Sequence, residues 1–230
     1  MLKKKILMDD GFNPELVGDA LFDGRLEIPV LAKPDRIIIP EGMIPFSCRK
    51  KSTSHKEFLV FYEHDYNFAQ ILKNPEELVR EFSEFPGIVT PDNSVYVDSP
   101  LTVQIANVYR NRAIGHFYQR KGIYVIPNVR WGDERSYTKC ILPEKFAFLG
   151  VPKDSIVCIG TYGACKSPEE KYHMREGLKA MLDELVPQTV LVYGAMPDVI
   201  FNGLLERTHF IQYPDWISLK KGKVCNFGDF

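Results

Sequence analysis

The chain of 230 residues carries 29 Lys and Arg against 30 Asp and Glu, a formal net charge of -1, with 45% apolar and 12% aromatic residues. That balance excludes disorder, collagen-like repetition and a polycationic nucleic-acid coat, and a chain of this length can bury one sizeable core without metals or disulfides. Five cysteines, none in a CxxC pair, argue against a disulfide framework, and Cys140 and Cys158 fit small buried hydrophobes beside apolar runs. A reducing, cytoplasmic setting is expected. The apolar part of the opening MLKKKILMDDGF is too short for a signal peptide, and no run approaches the roughly 20 apolar residues of a membrane span.

Residues 1–57 are charged and broken by Pro14, Pro29, Pro34, Pro40 and Pro45, with short apolar runs such as Arg36 to Ile39, and read as an extended N-terminal arm with one or two short strands, packed on the core. Residues 58–219 read as an α/β domain and 220–230 as a tail. From Phe58 onward short apolar runs alternate with helical patterns, as βα units do when they build a mainly parallel sheet. Phe58 to Tyr62 is the first such strand. A helical region from Phe68 to Phe82 is interrupted at Pro75, which cannot donate the interior hydrogen bond. Gly87 to Thr90 and Val95 to Val97 are short extended runs, and Pro100 opens the longest helix, Leu101 to about Lys121, which Gly122 stops.

Ile123 to Ile126 and Ser155 to Ile159 are β-branched strands. Ser167-Pro168-Glu169-Glu170 then starts a helix with a capping serine, proline at its first position and acids in its first turn. Pro187 ends that helix, Thr189 to Tyr193 forms a strand, Val199 to Arg207 a short helix, and His209 to Gln212 a last strand. The expected architecture is therefore an open or partial TIM-barrel-like sheet.

Parallel sheets place ligand sites at the carboxyl ends of their strands. Those ends hold Glu63-His64-Asp65, Asp92, Asp98, the run Pro127 to Arg135, Gly160 to Gly163, Tyr193-Gly194 and Asp215-Trp216. Turn formation alone gives no reason to gather acids, arginines and tryptophans at one edge.

Within the longest polar run, Trp131 can desolvate Asp133 or Glu134 while Arg130 holds the charge, a setting that tunes an acid for proton transfer. A second carboxylate, Asp98 or Asp92, from a neighbouring strand end would complete the pair used in glycosidic-bond hydrolysis. Asp133 fits equally well as the cap of a helix beginning at Glu134. Asn107, Arg110, Asn111 and Arg112 form a dense polar patch in the longest helix, in which Asn107 shares a face with Arg110 or Asn111 and arginine suits bidentate recognition of a phosphate or polar substrate. Asn128, Thr161 and Tyr193 complete the candidate binding set.

Gly160 to Gly163 lacks the lysine-serine ending of a phosphate loop, so a tight turn with a phosphate or ribose contact is the expectation. The five histidines show no metal-ligand spacing. Of them His64 alone is a candidate base, and Cys165 reads as an incidental thiol. Carboxylates at one edge (Asp65, Asp92, Asp98, Asp133) leave a magnesium ion open as a cofactor.

Asp98-Ser-Pro100, Gln104, the run Asn107 to Arg112, Ile114-Gly115, Val125 to Asp133, Ser136-Tyr137 and Ile159 to Thr161 together resemble domain-of-unknown-function family 4417, found in phages, prophages and integrative elements of bacteria. The resemblance runs from about Pro29 to about Gly194, and Pro127 to Asp133 is its most specific part. It implies a mobile-element protein in the bacterial cytoplasm and lends no established reaction. Two functions then compete. One is a hydrolase acting on nucleic acid or nucleotides through glycosidic or phosphodiester bonds. The other is a protein that binds DNA or a host protein through the arm, or sequesters a nucleotide unchanged.

Overall fold

In a computed structural model the described residues are 13–163 and 165–219, so the tail expected over 220–230 lies outside them, as does Cys225. Among the described residues the strands are β1 (Phe22–Asp23), β2 (Ile28–Pro29), β3 (Gly42–Pro45), β4 (Glu57–Val60), β5 (Ile88–Val89), β6 (Val125–Ile126), β7 (Ile156–Gly160), β8 (Thr189–Tyr193) and β9 (His209–Tyr213). The α-helices that begin and end within the described residues are α1 (Gln70–Lys73), α2 (Val79–Phe82), α3 (Leu101–Arg120), α4 (Glu134–Tyr137), α5 (Pro168–Leu185) and α6 (Asp198–Phe201).

β3 to β6 form one parallel sheet in chain order and β7 to β9 a second. A parallel bridge between Asn128 and Cys158 joins the two. The result is a run of seven parallel strands in sequence order. Side chains alternate along a strand, and the inward set from all seven strands (Met43, Phe58, Val89, Ile126, Cys158, Leu191 and Tyr213 among them) meets in one buried cluster. A flat sheet could not bring its edges to a common core, so this one is curled. The Tyr213 hydroxyl donates to the Pro40 carbonyl at 2.7 Å across the gap between the last strand and the first. No ladder joins β9 to β3 among the described residues, so the expected barrel-like α/β sheet is present in its open form.

Outward side chains pack on helices. Val157, Ile159, Val190 and Val192 meet Leu178, Met181 and Leu182 of α5. Leu59, Phe61 and Ile88 meet Ala113, Ile114 and Phe117 of α3. Each such Val, Leu, Ile, Met or Phe side chain taken from water stabilises by about 1.5–3 kcal/mol.

Both long helices end as their sequences predict. The Ser167 hydroxyl accepts from the Glu170 amide at 3.1 Å while the Glu170 carboxylate accepts from the Ser167 amide at 2.9 Å, a closed capping box. Gly122 follows α3 at φ 77, a left-handed turn that favours glycine. Proline breaks the Phe68 to Phe82 region at the expected place, between α1 and α2.

The segment 1–57, read as an arm with one or two short strands, holds β1, β2 and β3, and Pro45 is tolerated in β3 because that is an edge strand. Three expectations need correction. Val95 to Val97 is no strand, because buried Val95 packs with Val108 of α3 instead of joining a ladder. The Val199 to Arg207 helix is two short pieces, Asp198–Phe201 and the 3-10 turn Leu205–Arg207. Cys140 is exposed, whereas Cys158 is buried, and both are free thiols.

Candidate functional site

The carboxyl ends of the seven parallel strands enclose a cavity of about 580 Å³. Each strand or the loop just after it lends a residue: Pro45, Tyr62 and Glu63, Asp92, Arg130, Tyr162, Tyr193 and Asp215.

The floor is a buried hydrogen-bond chain. Tyr62 is the last inward residue of its run, and its hydroxyl donates to Asn128 Oδ1 at 2.9 Å and lies 3.1 Å from Cys158 Sγ. Asn128 Nδ2 in turn donates to Asp92 Oδ1 at 2.8 Å. The Asn128 main chain is held too, its N–H on Thr90 Oγ1 at 2.7 Å and its carbonyl under Arg112 Nη1 at 2.9 Å. Every polar group of Asn128 is thus partnered, which fixes which end of its amide faces Asp92. The Tyr62 ring stacks on Tyr193 at 4.7 Å and lies so close to Gly160 that a methyl group there would overlap it.

Arg130 Nη1 stands 3.8 Å from Asp92 Oδ2, with side chains 17% and 16% exposed. Burial raises the Asp92 pKa; Arg130 and the Asn128 amide oppose that shift, and the Asp65 charge adds to it. The carboxyl is therefore easier to protonate than a solvated aspartate, with a cation beside it. Arg130 Nη1 also donates to the Gly160 carbonyl at 3.3 Å, while among the described residues its Nε is buried without a hydrogen-bond partner. Asp65 is held by Ser94, whose hydroxyl donates to it at 2.9 Å. Trp216 and the exposed Lys166 stand on the cavity wall.

A second cavity of about 480 Å³ adjoins the first and is lined by Val95, Asp98, Trp131, Glu169, His173 and Met174. Tyr96, Arg130 and Gly163 line both.

Of the residues selected from sequence, Asp92, Arg130 and Tyr193 face the first cavity, and Asp98, Arg130 and Trp131 the second. Asn128 lies beneath Asp92. Asp133 caps α4, accepting from the Arg135 amide at 3.1 Å and pairing with the Arg135 guanidinium at 2.8 Å. Glu134 is exposed, 3.8 Å from His173 Nδ1. Asn107 donates to the Ser94 carbonyl at 2.6 Å and accepts from Arg110, so those two do share a helix face. The Thr161 hydroxyl donates to the Ala195 carbonyl at 2.6 Å. Asp133, Glu134, Asn107 and Thr161 line neither cavity.

Arg112 is buried and gives its donors to the Leu149, Ala147 and Asn128 carbonyls at 2.9–3.0 Å and to Asn111 Oδ1. Burial pushes its pKa down to about 9, which still leaves it charged at neutral pH. It pins loops together instead of facing a ligand.

Among the described residues no three His, Cys, Asp or Glu side chains come together in a metal-holding group, so the four carboxylates proposed for magnesium do not converge. Burial pushes the Cys165 thiol up to about 11, which keeps it in the weakly nucleophilic protonated form. His64 lines the first cavity, its ring stacked on Tyr66.

Sequence reading passed over Tyr62, although strand alternation from Phe58 through Val60 already points it inward at the carboxyl end. Tyr96, Lys166 and His173 carried no such signal, since loops and a helix on other parts of the chain bring them in.

Fold and cavity define an open barrel-like α/β protein with a polar, aromatic-walled pocket at its strand ends. The chain belongs to the family described as Domain of unknown function (DUF4417), whose model matches residues 20–214, further at both ends than the resemblance read from the motifs. It is 33% identical over 138 residues to the Gene 1 protein of Mycobacterium phage L5, covering 60% of this chain and 57% of that one. It is 31% identical over 138 residues to the Gene 1 protein of Mycobacterium phage D29, covering 60% and 48%. The matched stretch thus spans about half the length of these curated relatives. No solved structure matches the chain. Among the described residues no helix is long and apolar enough to cross a membrane.

Proposed function

We propose that the strand-end cavity binds a nucleotide-type ligand and hydrolyses a glycosidic or phosphodiester bond in it, with Asp92 as proton donor and Arg130 as anion ligand. The observation that carries this reading is the Asp92–Arg130 pair on the cavity floor, a carboxyl whose pKa burial raises beside a guanidinium with a buried, unpaired Nε. Protonated Asp92 gives its proton to the leaving atom as the bond to it breaks. Water supplies the incoming oxygen, and the carboxylate recovers a proton from that water. Arg130 stabilises the negative charge that develops.

Beside the buried Tyr62–Tyr193 stack, Tyr162 and Trp216 offer aromatic faces for a base, and Lys166 a second cation at the mouth. A volume of about 580 Å³ falls in the range of small-molecule sites. The relatives are phage proteins, which favours nucleic-acid chemistry in a bacterial cytoplasm by association of origin.

The test is to incubate the protein with nucleosides, mononucleotides, single-stranded DNA and duplex DNA while following products by chromatography and the melting temperature together. At least one substrate is expected to turn over, and Asp92→Asn to slow it by roughly 10²–10⁴-fold. Full activity in Asp92→Asn overturns the assignment of the acid. A ligand that raises the melting temperature and is recovered unchanged replaces hydrolysis with sequestration.

A further inference from the structure

We infer that the ligand consists of two nucleosides joined by one phosphodiester, seated across both cavities with its phosphate at Arg130. This rests on the reading of the strand-end cavity as a nucleotide site and adds to it the size and charge of the ligand.

The two cavities, about 580 and 480 Å³, are not separate sites, because Arg130, Tyr96 and Gly163 belong to the walls of both. Among the described residues the cation at the junction still has donor capacity: Arg130 Nε is buried without a hydrogen-bond partner, and Nη1 makes a 3.3 Å bond to Gly160 and a 3.8 Å approach to Asp92. An anion placed there is reached from either side.

The two chambers differ in what they accept. The first has the Tyr62–Tyr193 stack, with Tyr162 edge-on to Tyr193 at 6.4 Å, and Lys166 in its wall. It suits a base and tolerates negative charge near its mouth. The second pairs an apolar wall of Val95, Trp131 and Met174 with the carboxylates Asp98, Glu169 and Glu170, against which Arg130 is, among the described residues, the one lining Lys or Arg. Glu170 is already occupied by the amides of Lys166 and Ser167. Asp98 and Glu169 are exposed acceptors that suit sugar hydroxyls or a base amino group and repel a phosphate. A mononucleotide would fill one chamber only, and a ligand with a terminal phosphate on its second unit would meet like charge. One bridging phosphate between two nucleosides satisfies both chambers and the junction.

The experiment is calorimetric titration of the full chain with a cleavage-resistant phosphorothioate-linked adenosine dinucleotide, with AMP and with adenosine. The dinucleotide is expected to bind about tenfold or more tightly than AMP, about 1.4 kcal/mol or more. Glu169→Trp, a change at an exposed helix position that fills the second chamber, is expected to bring the ratio of the two affinities toward one. Val97→Trp, at another position lining the second chamber, serves as the independent second variant. Equal affinity for dinucleotide and AMP overturns the two-unit ligand and leaves the nucleotide site standing. No binding of any of the three overturns both. A preference that survives both tryptophan variants overturns the placement of the second unit.

Discussion

The side-chain amide of Asn128 donates to the Asp92 carboxylate at 2.8 Å and is held in that orientation by the Tyr62 hydroxyl on its oxygen at 2.9 Å. A hydrogen bond to a charged form favours it, so this amide opposes the rise that burial imposes on Asp92. Asn128→Leu is therefore expected to move the Asp92 pKa further up, and Tyr62→Phe to move it the same way by less. Carboxyl ¹³C titration by NMR reads both. Since the folded-state value already lies above the unfolded one, stability is lost as pH rises through the folded pKa, and Asn128→Leu should extend that loss to higher pH. An unmoved titration in both variants would show that the chain does not act on Asp92.

Arg112 is a structural cation, bonded to two carbonyls of the 147–149 turn, to the Asn128 carbonyl and to Asn111. Arg112→Met leaves those buried acceptors without donors and is expected to cost about 3–5 kcal/mol by urea denaturation. Arg112→Lys should recover little of it, because one ammonium cannot span the positions that the planar fork reaches.

Gly177 of α5 lies against the Trp131 indole, whose Nε1 donates to the His173 carbonyl at 3.0 Å, and a methyl group at 177 would overlap the ring. Gly177→Ala is expected to destabilise by about 1–3 kcal/mol despite alanine's better helix propensity. Because Trp131 lines the second cavity, its fluorescence should shift with the loss of stability.

Glu184 on α5 accepts from Lys153 at 2.8 Å and pairs with Lys145 at 3.2 Å. The Lys153 hydrogen bond is the chief reason its pKa is lowered from 4.5. A lowered folded-state value contributes stability above the unfolded pKa that disappears as pH falls through the folded one. Glu184→Gln is thus expected to cost under about 1 kcal/mol at pH 7, since a group 34% exposed is screened by solvent. The difference from the parent should shrink below about pH 4.5 and fade as acidification continues. Thermal unfolding across that range checks it.

Most of the strands and both long helices were legible because their signals are local: β-branched runs for β7 and β8, a capping box at Ser167, a stop at Gly122. β3 could not be located within the arm because two apolar residues carry no period and only the neighbouring β4 makes them a strand. The candidate site was half legible. Asp92, Arg130 and Tyr193 follow from the strand-end rule, while Asp133, which the same rule selected, is held as a helix cap by Arg135 two residues away. Arg112 shows the same limit, since a sequence displays its charge and not the three distant carbonyls that consume it.

The sequence by itself determined an α/β chain of parallel strands with polar carboxyl ends, because hydrophobic period, caps and turn residues act over a few neighbours. Only the tertiary structure decided that the sheet curls, that Tyr62, Asn128 and Asp92 join in one chain from three strand ends, and that Arg130 stands between two cavities. Those relations depend on contacts between segments 30 to 66 residues apart, whose closure is set by the packing of the whole inward face and leaves no mark in any single stretch of sequence.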